Sequence, residues 1–371
     1  PEITNAFFII YKWFVYFSRI KVSKMYRTIL LFFTFILFIS CKEEYQPRNI
    51  ENITIQEFKI DSVSIRAIYA TTKDKLMYAG SNGNVSYFDY NNNETNIISN
   101  AYKDSIIPNF RSIASNGKAI FALSIGNPAL LYRVSRGKST LVYKEEHKKV
   151  FYDAMKFFDD NVHGIAVGDP TENCASILLT SDAGASWNKL SCETLPKFND
   201  GEAFFAASNT NIKTIGSTVW IASGGKKARI LKSTDYGKTW NIYNSPIIQG
   251  NGPQGIYSID FADKNNGIVI GGDYSKPKAN IANKAITKDG GETWTLVADG
   301  QNPNYKSCVQ YVPNTNGKEV FAVGKTGVSF SNDKGFTWRT VSKDGYYAIQ
   351  FVDRNTAWLS GNEKIGKLVL Q

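Results

Sequence analysis

Two histidines and four cysteines in 371 residues leave little from which to build a reactive centre. His147 and His163 flank different strand-like runs, so a multi-histidine metal site or a Ser-His-Asp triad lacks its parts. No strand-Gly-x-Gly-x-x-Gly-helix unit, Cys-x-x-Cys pair or haem signature occurs, so neither a metal nor a cofactor is expected. Long helical periodicity is missing as well, which leaves an all-β body. The formal charge is +10, but residues 1–40 hold five basic and one acidic residue. Without them 38 basic residues face 32 acidic ones, a net +6 spread along the chain. No basic run interleaved with aromatics suggests a nucleic-acid groove.

What the chain does have is one octapeptide written four times, Ser/Thr-x-Asp-x-Gly-x-Ser/Thr-Trp. The copies are TSDAGASW from Thr180, STDYGKTW from Ser233, TKDGGETW from Thr287 and SNDKGFTW from Ser331. Their aspartates (Asp182, Asp235, Asp289, Asp333) are 53, 54 and 44 residues apart, the spacing of repeated supersecondary units. Each copy lies between two strand-like runs and so predicts a hairpin turn. The Asp accepts backbone N–H groups, the Gly takes positive φ, and the Trp (Trp187, Trp240, Trp294, Trp338) packs under the turn. All of this is folding chemistry.

These residues resemble the Asp-box, or BNR, repeat of sialidase-like β-propellers. The resemblance implies a propeller in which each box joins the two outer strands of a blade, on the face opposite the ligand. It implies a fold, and little about a reaction.

The N-terminal part has a different character. Residues 1–24 carry no initiator Met and read as an upstream extension. From Met25 a basic flank (Arg27) precedes an apolar stretch, Ile29 to Ile39, too short to span a bilayer, and then Ser40 and Cys41. Residues 25–40 are similar to a bacterial lipoprotein signal, with Phe38 where Leu is usual and Cys41 as the lipidated residue. The alternative is an ordinary signal peptide or membrane anchor. Either implies export. Residues 41–52, opening Lys42, Glu43 and Glu44, read as a tether, and 53–371 as a single domain. Localisation is expected at a membrane of the cell envelope, periplasmic or outer, through the lipid.

Of the other cysteines, Cys174 and Cys192 flank the first octapeptide symmetrically, which in an antiparallel hairpin sets them face to face and within reach of a disulfide. Cys308 is left as a packed thiol.

From Ile53 the chain is a succession of short β-rich runs cut by Gly and Asn. Overlaying the repeats gives seven first strands, beginning at Arg66, Arg111, Asp153, within Glu202 to Ala207, near Tyr257, at Cys308 and at Tyr347. The seventh unit supplies only three strands, and Ile53 to Ile60 provides the fourth. Pairing the chain ends in this way closes the ring and removes its edges. The expectation is therefore a monomeric seven-bladed propeller of four-stranded antiparallel blades, with six or eight blades as the competing counts.

Connectivity then locates a site. Turns joining the first strand to the second and the third to the fourth share one face with the octapeptides. The second-to-third loops and the links between blades lie on the other. There Arg66, Arg111, Asp153, Glu202 and Tyr257 open or precede innermost strands. The second-to-third loops add Asp169, Arg229 and the long insertion Gly271 to Lys284, with Asp273, Asn280 and Asn283. Arginines beside carboxylates at a channel mouth suit an anionic or polyhydroxylated ligand. They equally suit pairing with one another to close the channel.

The stretches GIAVGDP (Gly164 to Pro170), GEAFFAASNT (Gly201 to Thr210), GGKKAR (Gly224 to Arg229) and GIYSIDF (Gly255 to Phe261) resemble exported bacterial propellers of the photosystem II stability and assembly factor-like group. The resemblance implies a non-catalytic binding or assembly scaffold for an envelope protein or glycan. The alternative is a sialidase-like glycoside hydrolase with Asp153 and Glu202 as acid/base pair and Arg66, Arg111 and Arg229 as substrate clamps. Against it, the Arg-Ile-Pro context of the first sialidase arginine is replaced by Phe110-Arg111-Ser112-Ile113, and no arginine triad can be assigned.

Overall fold

A computed structural model describes residues 45–51, 53–100 and 106–370. Cys41 and the signal-like segment lie outside the described residues. Seven antiparallel sheets follow one another along the chain and make a seven-bladed β-propeller, each blade four strands deep. Among the described residues there is no helix long and apolar enough to cross a membrane.

The blades show why this sequence gives strands. Second strands beyond the first blade are sandwiched between neighbouring blades and do not alternate: Ile120–Ser124, Gly164–Gly168, Thr218–Ala222, Gly267–Asp273, Val320–Gly324 and Thr356–Ser360 are buried at every position. Outer strands such as Lys138–Glu145 are exposed or half-buried throughout and carry the polar residues.

Six innermost strands lie where the sequence puts them: Ala67–Thr72, Phe110–Ser115, Tyr152–Phe157, Gln254–Phe261, Cys308–Tyr311 and Ala348–Phe351. The fourth does not. It is Ile212–Ile215, ten residues beyond Glu202. The apolar run after Glu202 mimics a strand, yet only Glu202–Ala203 pairs, with Gly224–Gly225, as a two-residue extension of the fifth blade's sheet.

Closure of the ring uses both chain ends. Thr54–Ser64 pairs antiparallel with Asn362–Val369 and completes the seventh blade as its outer strand. Phe58 from this strand packs on Phe88 of the first blade (4.7 Å between ring centroids), and Trp358 donates its indole N–H to Thr72 O at 2.9 Å. Part of the expected tether is docked as well. Arg48 pairs with the fully buried carboxylate of Glu319 at 2.6 Å and bonds Asn355, and Ile50 is buried.

All four octapeptides form the turn between third and fourth strands. In the second copy Asp235 accepts Ser233 Oγ, the amides of Lys238 and Thr239, and Thr239 Oγ1, while Ser233 Oγ accepts the Gly237 amide. The turn needs two consecutive left-handed residues: Tyr236 at φ 64° precedes Gly237 at φ 85°. Trp240, Trp294 and Trp338 donate their indole N–H to the glycine carbonyl of their own turn. Trp187 has no such partner among the described residues; its ring packs against Phe121 and Phe157. Beside this first turn Cys174 and Cys192 are joined by a disulfide, Cα atoms 5.5 Å apart, and Cys308 is a buried free thiol.

Candidate functional site

The segment that failed to become a strand builds the site. Residues 203–210 run across the propeller axis and are held by side chains and carbonyls of several blades. Phe204 N donates to Asp169 Oδ1 (2.7 Å), and Arg66 donates to Ala207 O (3.2 Å). Ser208 Oγ donates to Ser307 O (2.7 Å). Asn209 donates to Ile113 O (2.7 Å) and accepts from Met155 N (2.9 Å). Blades one, two, three and six thus converge on one strand-less stretch, which plugs the channel and leaves a cavity on either side.

The cavity on the face opposite the octapeptides measures about 500 Å³. Arg66, Arg111, Asp169 and Tyr257, all singled out from the sequence, line it together. So do Phe151, Phe204, Phe205, Tyr274, Tyr305, Lys325 and Tyr347, which were not. Their signal was positional: Phe151, Tyr305 and Tyr347 stand just before innermost strands, as Arg66 does.

The lining is aromatic with cations laid on it. Phe205 stacks flat on Tyr257 (3.9 Å), and Tyr305 meets Tyr257 edge-on (4.8 Å). The Arg66 guanidinium lies 3.9 Å over the Tyr347 ring, and Lys325 sits 6.0 Å from both Tyr274 and Tyr305. Burial, then the neighbouring Arg66 charge, draws Arg111 below the usual arginine range. Burial also raises Asp169 to about 6, against the bond from Phe204 N.

Beneath the mouth lies Asp153, fully buried. Burial first, and the Asp169 charge second, push its pKa well above the ordinary carboxylate value, only partly offset by Arg111. Burial thus works against the charged form that a nucleophile needs.

The remaining sequence candidates are brought elsewhere. Glu202 is not at the mouth: its side chain is fully buried and grips Arg229 with both oxygens (2.8 and 2.6 Å), accepting also from Ser223 Oγ and Asn199. Asp153 and Glu202 therefore form no open acid/base pair, and Arg229 is no free clamp. The sequence reading brought them together because it made Glu202 the start of an innermost strand. Asp273, Asn280 and Asn283 brace the Gly271 to Lys284 insertion: Asp273 accepts from Ser275 and Gln254, Asn280 donates to Gly300 O, and Asn283 to Pro303 O. His163 pairs with Asp160 and stacks on Tyr236 at the opposite face.

No protein-family model and no curated protein matches the sequence. Solved structures do. A structure described as YCF48 bound to D1 peptide superposes with a TM-score of 0.62 at 14% identity, covering 88% of this chain and 98% of its own. YCF48 from Cyanidioschyzon merolae gives 0.59 at 15% identity, covering 85% and 98%. The WD40 repeats of RRP9 give 0.62 at 10%, covering 88% and 99%. The likeness is one of fold.

Proposed function

We propose that this chain is a non-catalytic binding propeller of the cell envelope, anchored by a lipid on Cys41, that holds a segment of a protein partner at its aromatic and cationic mouth. The observation that carries the reading is the mouth itself. Tyrosines and arginines on a rigid, plugged floor are side chains enriched where protein recognition is strongest, the tyrosines because they bring large area with few rotamers. Carboxylates that a hydrolase would need in the open are buried here or locked to arginine, which favours binding over turnover. One of the similar propellers is described in complex with a peptide, which supports a protein ligand over a glycan. The four octapeptide turns support membership among Asp-box propellers, with the ligand on the face away from them.

The test is affinity capture from solubilised envelopes with photo-crosslinking residues placed at Tyr274 and, as control, at Phe336 on the octapeptide side, both about half exposed. A partner crosslinked from Tyr274 and lost in Lys325→Glu is the expected result. Equal crosslinking at both positions would refute the mouth as the docking face. Cys41→Ser should leave the chain without lipid by mass spectrometry and move it to the soluble fraction; a lipid-free wild type would dispose of the anchor.

A further inference from the structure

The plug has a second side. Ser208, Asn209 and Thr210 roof another cavity of about 180 Å³, within the channel and nearer the octapeptide face. Among isoleucines and other apolar residues its walls carry Lys156, Asp260, Gln310 and Gln350, each the next-to-last residue of an innermost strand, and Lys213. None of these belongs to the mouth.

Backbone pairing between blades dictates how the polar walls point. Gln310 Oε1 accepts Phe351 N at 2.8 Å, and Gln350 Oε1 accepts Ala70 N at 2.7 Å. Only an oxygen can accept a backbone N–H, so both amide orientations are fixed. Each carboxamide NH2 is then left as a donor with no partner among the described residues. Asp260 behaves differently, because both its oxygens are taken: Oδ2 accepts Tyr311 N (2.7 Å) and Oδ1 pairs with Lys213 Nζ (2.6 Å). The hydroxyls of the roof are also engaged, Ser208 with Ser307 O and Thr210 with Ser258.

Lys156 is the exception. Among the described residues its ammonium has neither a carboxylate nor a hydrogen-bond acceptor within bonding distance, although it is enclosed by the channel. Burial and then the Lys213 charge draw it down to about 8, against Cys308 and Asp260, which act the other way. The cavity thus offers a cation and two amide donors, and its one carboxylate is already neutralised by Lys213.

We infer that this inner cavity is a binding site for a small oxyanion, phosphate or sulfate in size, held by Lys156 Nζ with the amide groups of Gln310 and Gln350. At roughly 30 Å³ of liquid volume per water, the space holds such an ion with a few waters. Charge-assisted bonds from an ammonium and neutral amides, in a cavity partly shielded from bulk water, are the chemistry that retains an oxyanion. Lys213 is 30% exposed, which puts one wall of the cavity at the solvent.

The experiment is calorimetric titration of the full chain, in detergent, with inorganic phosphate, sulfate and acetate at pH 7 in a chloride-poor buffer. One phosphate or sulfate per chain is expected, with acetate weaker. Lys156→Met should weaken binding by about tenfold or more, as expected for loss of a charged hydrogen bond. Gln350→Glu keeps the acceptor for Ala70 N but turns a donor into an anion, and should weaken binding at least as much. Arg111→Met, at the mouth, should leave it unchanged. Absence of binding by wild type at about 10 mM of every ion, affinity unaltered in either inner-cavity variant, or loss only in Arg111→Met would each overturn the site. Thermal midpoints of the ion-free variants, measured alongside, show whether each is folded; Lys156→Met should be no less stable than wild type, since it removes an uncompensated cation.

Discussion

At the scale of single residues, the mouth holds two carboxyl groups whose pKa values burial raises above the ordinary carboxylate range. Asp169 titrates near 6 instead of 3.8, so between those values the folded chain holds a proton that the unfolded chain has released. Stability therefore falls as pH rises from about 4 to about 6 and then levels, by at most about 1.4 kcal/mol per unit for one proton. Asp153 acts in the same direction. The octapeptide residues Asp182, Asp235 and Asp289 act oppositely: hydrogen bonds hold them near 2, so their contribution is lost as pH falls from about 4 to about 2. Being largely exposed, they contribute little each. Asp169→Asn keeps an acceptor for Phe204 N and should flatten the pH 4 to 6 slope in urea unfolding; an unchanged slope would mean that Asp169 carries no proton there. Glu202 and Arg229 illustrate what single residues hide. Their types suggested a catalytic acid and a clamp, but a bidentate pair is a tertiary fact, and nothing in sequence distance announces it.

Elements were the most legible level, because their signals are local. Turn chemistry at the four octapeptides, together with the rhythm of short strands where no octapeptide occurs, located six innermost strands. Positive φ at the octapeptide glycine is a demand that the sequence states openly, and it recurs in every copy. The outer strand Thr54–Ser64 was legible by default, as the piece the seventh blade lacked. Beyond its pairing with Asn362–Val369 it buries Phe58, 8% exposed between Phe88 and Tyr90, with Ile60 and Val63. Phe58→Ala should cost about 3 kcal/mol in denaturant unfolding, with hydrogen exchange accelerated first in Asn362–Val369. Uniform acceleration across all blades would show instead that this strand opens only with the whole ring.

At the scale of the whole molecule, sequence reading stopped at the channel. The stretch after Glu202 looks like a strand because it opens apolar, but Phe204 N and Ala207 O are held by side chains 35 and 141 positions away in sequence. No local pattern encodes that, so the plug and both cavities were invisible, whereas the blade count was not. Asn209 is the keystone, at φ 60° and buried, bridging the second and third blades. Asn209→Ala should destabilise by about 1–3 kcal/mol for each backbone group left unpaired and loosen Gly201 to Thr210 in hydrogen exchange. Loosening confined to the second and third blades, with the plug still protected, would mean that its other bonds suffice.

The docked stretch before the first strand also has a mechanical meaning. Tension on the chain upstream of Pro47 reaches the Arg48–Glu319 pair before it reaches Thr54. Glu319 belongs to the sixth blade and Asn355, which Arg48 also holds, to the seventh, so the load is shared between two blades and the closing strand is spared from being peeled. A propeller pulled by its leading end is thus clamped like a cable at its housing, and Arg48→Ala should lower the force at which the ring opens while leaving its closed form in place.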